Sequence, residues 1–235
     1  MLFDLRGAGR RTTIKIVYLS LAVLMGGGLV LFGIGGDVSG GLFDAFGERN
    51  ATTDTGKGRY ENRVEAAQRE TRTTPDDPVT YADLARARYQ LANAGDNFDQ
   101  QTGQYSAEGK RQLTLATEAW ERHLALEPKQ ADDGVASLMV NAYGPQGLND
   151  LEQAVSAQEV ITEVRPKAAT FANLAILAYQ AGQTRKGDLA TDQAIERADP
   201  DDRKTLRAEL KSAKEQALQQ QLQNAQPSPT AAPEE

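Results

Sequence analysis

Few side chains in this sequence could do chemistry, and their spacing says what they are for. The single histidine, His123, follows Trp120 by three residues on the apolar side of a predicted helix. A packed, hydrogen-bonded imidazole is the expected state there, not a lone general base. Three acidic pairs, Asp76-Asp77, Asp132-Asp133 and Asp201-Asp202, each stand just before a helix-periodic stretch. Carboxylates in that position accept from the first free helical N–H groups and oppose the helix dipole, so they read as caps and not as a metal site. Asp96, Asn97 and Asp99 lack the alternating acidic ligands of a calcium loop. No phosphate loop, nucleophile elbow or zinc spacing occurs. The chain has no cysteine, which removes disulfides and thiolate metal sites. The expectation is a protein with no catalytic residues, metal or cofactor, whose work is binding.

What positions the chain is its amino end. Ile16 to Ile34 runs 19 residues without a charged side chain, and a helix of that length covers about 28 Å, close to the hydrocarbon thickness of a bilayer. It reads as a transmembrane helix over 16–34. Before it, Arg6, Arg10, Arg11 and Lys15 face the single acid Asp4, so the head 1–15 carries +3 and is expected to stay in the cytoplasm. The body then lies on the extracytoplasmic side of the cell membrane. Arg10-Arg11 with Ile14-Lys15 is also a partial twin-arginine signal, and a basic flank before an apolar run is the layout of a cleavable export signal. The apolar run is longer than a signal core and no A-x-A site follows, which favours an uncleaved anchor. Gly26 to Gly28, Gly33 and Gly35 would let a second transmembrane helix approach closely, although they form no GxxxG pair.

The chain's net charge of −7 leaves −10 for residues 16–235, which makes nucleic acid and anionic lipid improbable targets and a polypeptide the expected partner. Residues 35–58, rich in Gly, Ser, Thr and Asp, read as a flexible linker. Its apolar patch, Leu42, Phe43 and Phe46, is either an interfacial contact or a local cluster.

From Tyr60 the pattern turns helical. Tyr60, Val64 and Ala67 form a weak apolar stripe that Pro75 and Pro78 terminate. Tyr81, Leu84, Ala85 and Arg88 follow at one-face helical spacing, and Leu113, Ala116, Trp120 and Leu124 supply a partner helix that Pro128 stops. Val135, Leu138, Met139 and Ala142 begin a second pair, completed by Leu151, Ala154, Val155, Gln158 and Ile161 before Pro166. Phe171, Leu174, Ala175 and Ala178 begin a third, whose second helix carries Gly187, Ala190, Thr191, Ala194 and Ile195 before Pro200. The predicted fold is all-α.

The proline punctuation recurs at 38 and then 34 residues, against about 34 for a tetratricopeptide repeat. Phe171-x-x-Leu174-Ala175-x-x-Ala178 resembles the W-x2-L-G-x2-Y half of that family's motif, with Gly182 in the turn and Gly187-x3-Thr191 where the family has A-x3-F. Tyr81-x-x-Leu84-Ala85 with Ala116-x3-Trp120 and Pro128 is the cleanest instance, and Ala154-x3-Gln158 with Pro166 the poorest. The resemblance covers about 120 residues. It implies an α-solenoid of about three helical hairpins within 59–224, with the packing carried by Tyr81, Leu84, Ala85, Ala116, Trp120, Ala154, Phe171, Leu174 and Ala175. Leu206, Leu210, Ala213 and Ala217 lie on one face of a charged stretch that would cap the last pair, and the composition of 225–235 predicts a disordered tail.

The same resemblance implies a concave groove lined by the first helix of each pair. Tyr89, Tyr143 and Tyr179 share an offset eight residues beyond Tyr81, Val135 and Phe171, so they are candidate peptide contacts, with Arg86 and Gln180 as polar hooks. The alternative is that each tyrosine packs between helices. The first repeat carries about 19 extra residues, which fall in the polar loop 95–109, either a docking element or a tolerated insertion. The expected function is a membrane-anchored scaffold for protein–protein interaction. A holdase-type chaperone or translocon-associated folding factor is the alternative, and an exported soluble protein a third reading.

Overall fold

The computed structural model describes residues 56–225, whose fold is all-α apart from one minimal hairpin. The proposed span 16–34, the basic head and most of the linker lie outside the described residues. Among the described residues no helix is long and apolar enough to cross a membrane.

Among the described residues eight α-helices follow in order: α1 (Gly56–Thr73), α2 (Pro78–Ala92), α3 (Ala107–Ala125), α4 (Asp133–Tyr143), α5 (Leu151–Val164), α6 (Ala168–Gln180), α7 (Thr184–Arg197) and α8 (Arg203–Ala225). α1 begins at Gly56, inside the stretch that composition reads as linker. Two of the three acidic pairs act as the sequence suggests: Asp77 caps α2 by accepting from the Val79 N–H, and Asp132 caps α4 by accepting from the Val135 N–H. Asp150 and Ser106 do the same for α5 and α3. At the other ends, Pro128, Pro166 and Pro200 stand two or three residues past α3, α5 and α7, where a residue without an N–H cannot continue a helix.

The helices pack chiefly as consecutive pairs, α2 with α3, α4 with α5 and α6 with α7. Each pair is held to the next, since α3 packs on α4, α5 on α6, and α8 on both α6 and α7. Small side chains make the close approaches: Ala85, Ala116, Ala154 and Ala175 are all fully buried, so backbones meet at distances that larger residues forbid. Larger groups fill the space between pairs. Leu113, Trp120, Val135, Met139 and Ile161 share one cluster spanning α2 to α5, and Val155, Leu174, Tyr179 and Leu210 share a second from α5 to α8. A third joins Val64 of α1 to Ala87 and Leu91 of α2. Burying a side chain the size of Leu113 contributes roughly 1.5–3 kcal/mol.

His123 ties two of these pairs together. It is 2% exposed and stacks on Trp120 with ring centres 5.1 Å apart. Its Nδ1 lies 2.7 Å from the Pro78 carbonyl oxygen at the start of α2, and the Asp132 N–H donates to its Nε2 at 3.3 Å. A carbonyl can only accept and an amide N–H can only donate, so the ring is the Nδ1–H tautomer. It is a structural crosslink.

The inserted segment between α2 and α3 is ordered. Gly95–Asn97 forms a 3₁₀ turn, then β1 (Phe98–Asp99) pairs antiparallel with β2 (Gln104–Tyr105). Asn97 is buried and donates through its side-chain amide to the Leu91 carbonyl, while the Tyr105 hydroxyl donates to Asn93. The Gly109 Cα lies so close to the Asn97 carbonyl that a side chain there would overlap it.

Candidate functional site

The tyrosines of the expected groove are placed as follows. Tyr143 and Tyr179 are 5% and 3% exposed, and Tyr89 is half-buried. Each sits in its own interhelical setting. The Tyr143 hydroxyl donates to Glu121 of α3 at 3.2 Å, and burial first, then the Glu121 charge, pushes its phenol well up. The Tyr179 hydroxyl donates to Asp188 at 2.9 Å and meets Thr191 at 2.9 Å, and burial raises it to about 12. Burial likewise raises Tyr89 to about 12. With their rings inside, Tyr143 and Tyr179 bind helices to one another, and only Gln180 of the five is exposed. Arg86 is committed to ion pairs with Asp83 and Asp132, both at 2.7 Å.

Of the expected packing residues, Ala85, Ala116, Trp120, Ala154, Leu174 and Ala175 are buried. Tyr81, Leu84 and Phe171 are partly covered, with Arg122 over the Tyr81 ring and Arg197 over the Phe171 ring at 4.6 Å.

A groove with apolar lining lies elsewhere. α5 and α7 both pack on α6 and not extensively on one another, which leaves a groove of about 760 Å³ between them. Phe171, Leu174 and Ala190 form its apolar floor. Leu189 stands on its wall, 60% exposed, among the largest apolar exposures of the described residues. The rim is polar and basic. Lys186 reaches across to Glu159 of α5 at 2.7 Å, while Arg185 is exposed; Gln183, Thr184 and Gln193 complete it. One end is the α6–α7 turn, where Gly182 adopts φ 76°, a left-handed conformation that glycine takes at least cost. None of Tyr89, Tyr143, Tyr179, Arg86 and Gln180 lines this groove; Phe171 and Leu174 do.

Leu189 and the rim were not singled out from sequence. The available signal is that Lys186, Leu189 and Gln193 stand at i, i+3, i+7, off the stripe of Gly187, Ala190, Ala194 and Ile195 that α7 buries. A leucine on the polar strip of an amphipathic helix is a weak signal alone, because single exposed leucines are common.

A smaller polar cavity of about 380 Å³ lies among α1, α2 and α3. Its cations Lys57, Arg88 and Arg111 are each hydrogen-bonded. Arg88 donates to Gln112 at 2.8 Å, Arg111 and Gln112 both donate to Glu108, and Lys57 pairs with Asp96 at 2.6 Å. The Arg111 hydrogen bond, then that of Gln112, holds the Glu108 carboxyl down at about 2. Every buried side-chain N or O among the described residues has a partner, and no cluster of metal-ligating side chains occurs among them. No family model matches the chain, and no curated protein is detectably similar to it.

Proposed function

We propose that this chain is a membrane-anchored scaffold of the tetratricopeptide type, held by residues 16–34 and using its helical hairpins to bind a polypeptide on the extracytoplasmic side, without catalysis. The observation that carries the reading is the apolar groove between α5 and α7, with Leu189 60% exposed beside Phe171 and Leu174. A partly apolar groove with a polar rim suits a peptide that buries a few side chains and orients the rest. The tetratricopeptide assignment is supported by successive helix pairs with alanines at the crossings, by the prolines beyond α3, α5 and α7, and by the glycine turn between α6 and α7. Hairpins of this kind bury their faces only by stacking, and stacking leaves grooves between alternate helices.

The test is affinity capture with the full chain, beside Leu189→Glu. A scaffold retains one partner in a stoichiometric ratio, and Leu189→Glu loses it while the thermal midpoint stays put. Many denatured clients would instead favour a holdase, and no retained protein would refute both. Protease added outside intact cells is expected to digest the body and spare the amino end. Amino-terminal sequencing that finds a start near residue 40 would favour the exported soluble form.

A further inference from the structure

We infer that the α5–α7 groove selects an extended peptide in which an acidic residue stands two positions from a large apolar one; this rests on the groove being a peptide site. The signature comes from one ridge of α7. Arg185, Leu189 and Gln193 stand at i, i+4 and i+8 and all line the groove, so their side chains follow one another along the helix about 6 Å apart. Alternate side chains of an extended chain lie about 6.6 Å apart. A peptide laid along α7 therefore brings one side chain to Leu189 and the next on the same side to Arg185. The partner of Leu189 is apolar, because that leucine is 60% exposed and the floor beside it is Phe171, Leu174 and Ala190, a surface that leaves water favourably only against another apolar group.

Charge sets the other position. The ionisable side chains lining the groove are Arg185, Lys186 and Glu159. Lys186 and Glu159 neutralise each other at 2.7 Å, while Arg185 is exposed and makes no ion pair among the described residues. Asp188, the nearest acid to it along α7, is held instead by Lys214 at 2.6 Å and by the Tyr179 hydroxyl. The groove lining therefore carries one net positive charge in a chain whose net charge is −7. The first turn of α7 holds no acid, so a carboxylate arriving at Arg185 also meets the positive end of the helix dipole. A guanidinium takes a carboxylate through two parallel hydrogen bonds, which fixes the register of the peptide as well as its charge. A lysine or arginine at the same place is repelled.

The test selects a random peptide library displayed on phage against the full chain in detergent, with Leu189→Glu and Arg185→Glu chains in parallel. Clones retained by the unaltered chain and lost on Leu189→Glu are expected to share an Asp or Glu two positions from a Leu, Ile, Met or Phe, in one consistent order. On Arg185→Glu the enriched residue at the acidic position becomes Lys or Arg, while the apolar one stays. A synthetic copy of an enriched peptide, followed by fluorescence anisotropy, should bind the unaltered chain about two- to fivefold more weakly when its acid is replaced by Lys, the range an exposed ion pair supports, and recover on Arg185→Glu. The replacement in the peptide leaves the protein untouched, so that arm decides the matter even where a variant folds poorly. Enriched peptides that depend on Leu189 but carry no acid at this spacing, or carry a cation there, overturn the proposal and leave the groove standing as a peptide site. Failure to enrich any Leu189-dependent peptide refutes both. A chain that associates with itself in sedimentation, and ceases to as Leu189→Glu, assigns the groove to a second copy and overturns the proposal as well.

Discussion

Replacing Gly187 by alanine should destabilise the protein, although helix propensity alone favours the change. Gly187 lies in the first turn of α7, where alanine would contribute at most ~1 kcal/mol of propensity. The Tyr179 ring rests directly on its Cα. A Cβ there would overlap ring atoms Cδ1 and Cε1 and come 3.0 Å from Cζ. The ring has nowhere to go, being buried, with its hydroxyl bonded to Asp188 and Thr191 and the Lys214 ammonium 5.7 Å from its centre. Overpacking of this kind costs about 1–3 kcal/mol, and tilting the ring away from its two hydroxyl partners costs about 1 kcal/mol for each bond lost. The net expectation is a loss of about 1–3 kcal/mol, read by urea unfolding followed by circular dichroism. The decisive comparison is the same change in a Tyr179→Ala background. There the obstacle is gone, and Gly187→Ala should be neutral or stabilising by up to ~1 kcal/mol. If Gly187→Ala stabilises the unaltered protein, or costs the same in both backgrounds, the packing argument is wrong.

Three further outcomes are expected. His123→Ala removes the acceptor of the Asp132 N–H and the donor to the Pro78 carbonyl and leaves a cavity beside Trp120, so it should cost about 2–5 kcal/mol in urea unfolding; a cost under about 0.5 kcal/mol, the level of an ordinary surface substitution, would refute its bridging role. Glu108 is held near 2 from an ordinary 4.5, so the stability it contributes is present above about 4.5 and lost as pH falls toward 2. Glu108→Gln should flatten the acid limb of a stability–pH curve, and an unchanged limb would count against the Arg111 and Gln112 contacts. Tyr89 and Tyr179 are raised to about 12, so their neutral phenols favour the folded state below about 10, and that stability is lost as pH rises from 10 through 12. Tyrosinate absorbance from these two should therefore grow together with loss of helical circular dichroism, and tyrosinate forming while the helices persist would contradict their burial.

Much of the helical order was legible in the sequence because its causes are local. The acids at Asp77 and Asp132 cap the helices they precede, and Pro128, Pro166 and Pro200 mark where three helices must already have ended. The alanines at 85, 116, 154 and 175 are short enough to betray helix crossings, and all four are buried. The insertion was visible as surplus length, but not as a hairpin, because β1 and β2 are two residues each and their ordering depends on Asn97 reaching the Leu91 carbonyl. A shared offset grouped Tyr89, Tyr143 and Tyr179, yet that offset does not say which neighbour covers each ring.

From the sequence alone come the all-α class, the pairing of consecutive helices, their ends, and an apolar run at 16–34 of the length a bilayer requires. These depend on side-chain periodicity, backbone donors and charge, which act within a few residues. Tertiary structure alone decides that Tyr179 is buried against Gly187, that His123 bridges α2 and α4, and that α5 and α7 stand apart over Phe171 and Leu174. A groove is a space between helices distant in sequence. Its width depends on how far the side chains of the intervening helix hold its neighbours apart, and no local pattern contains that distance.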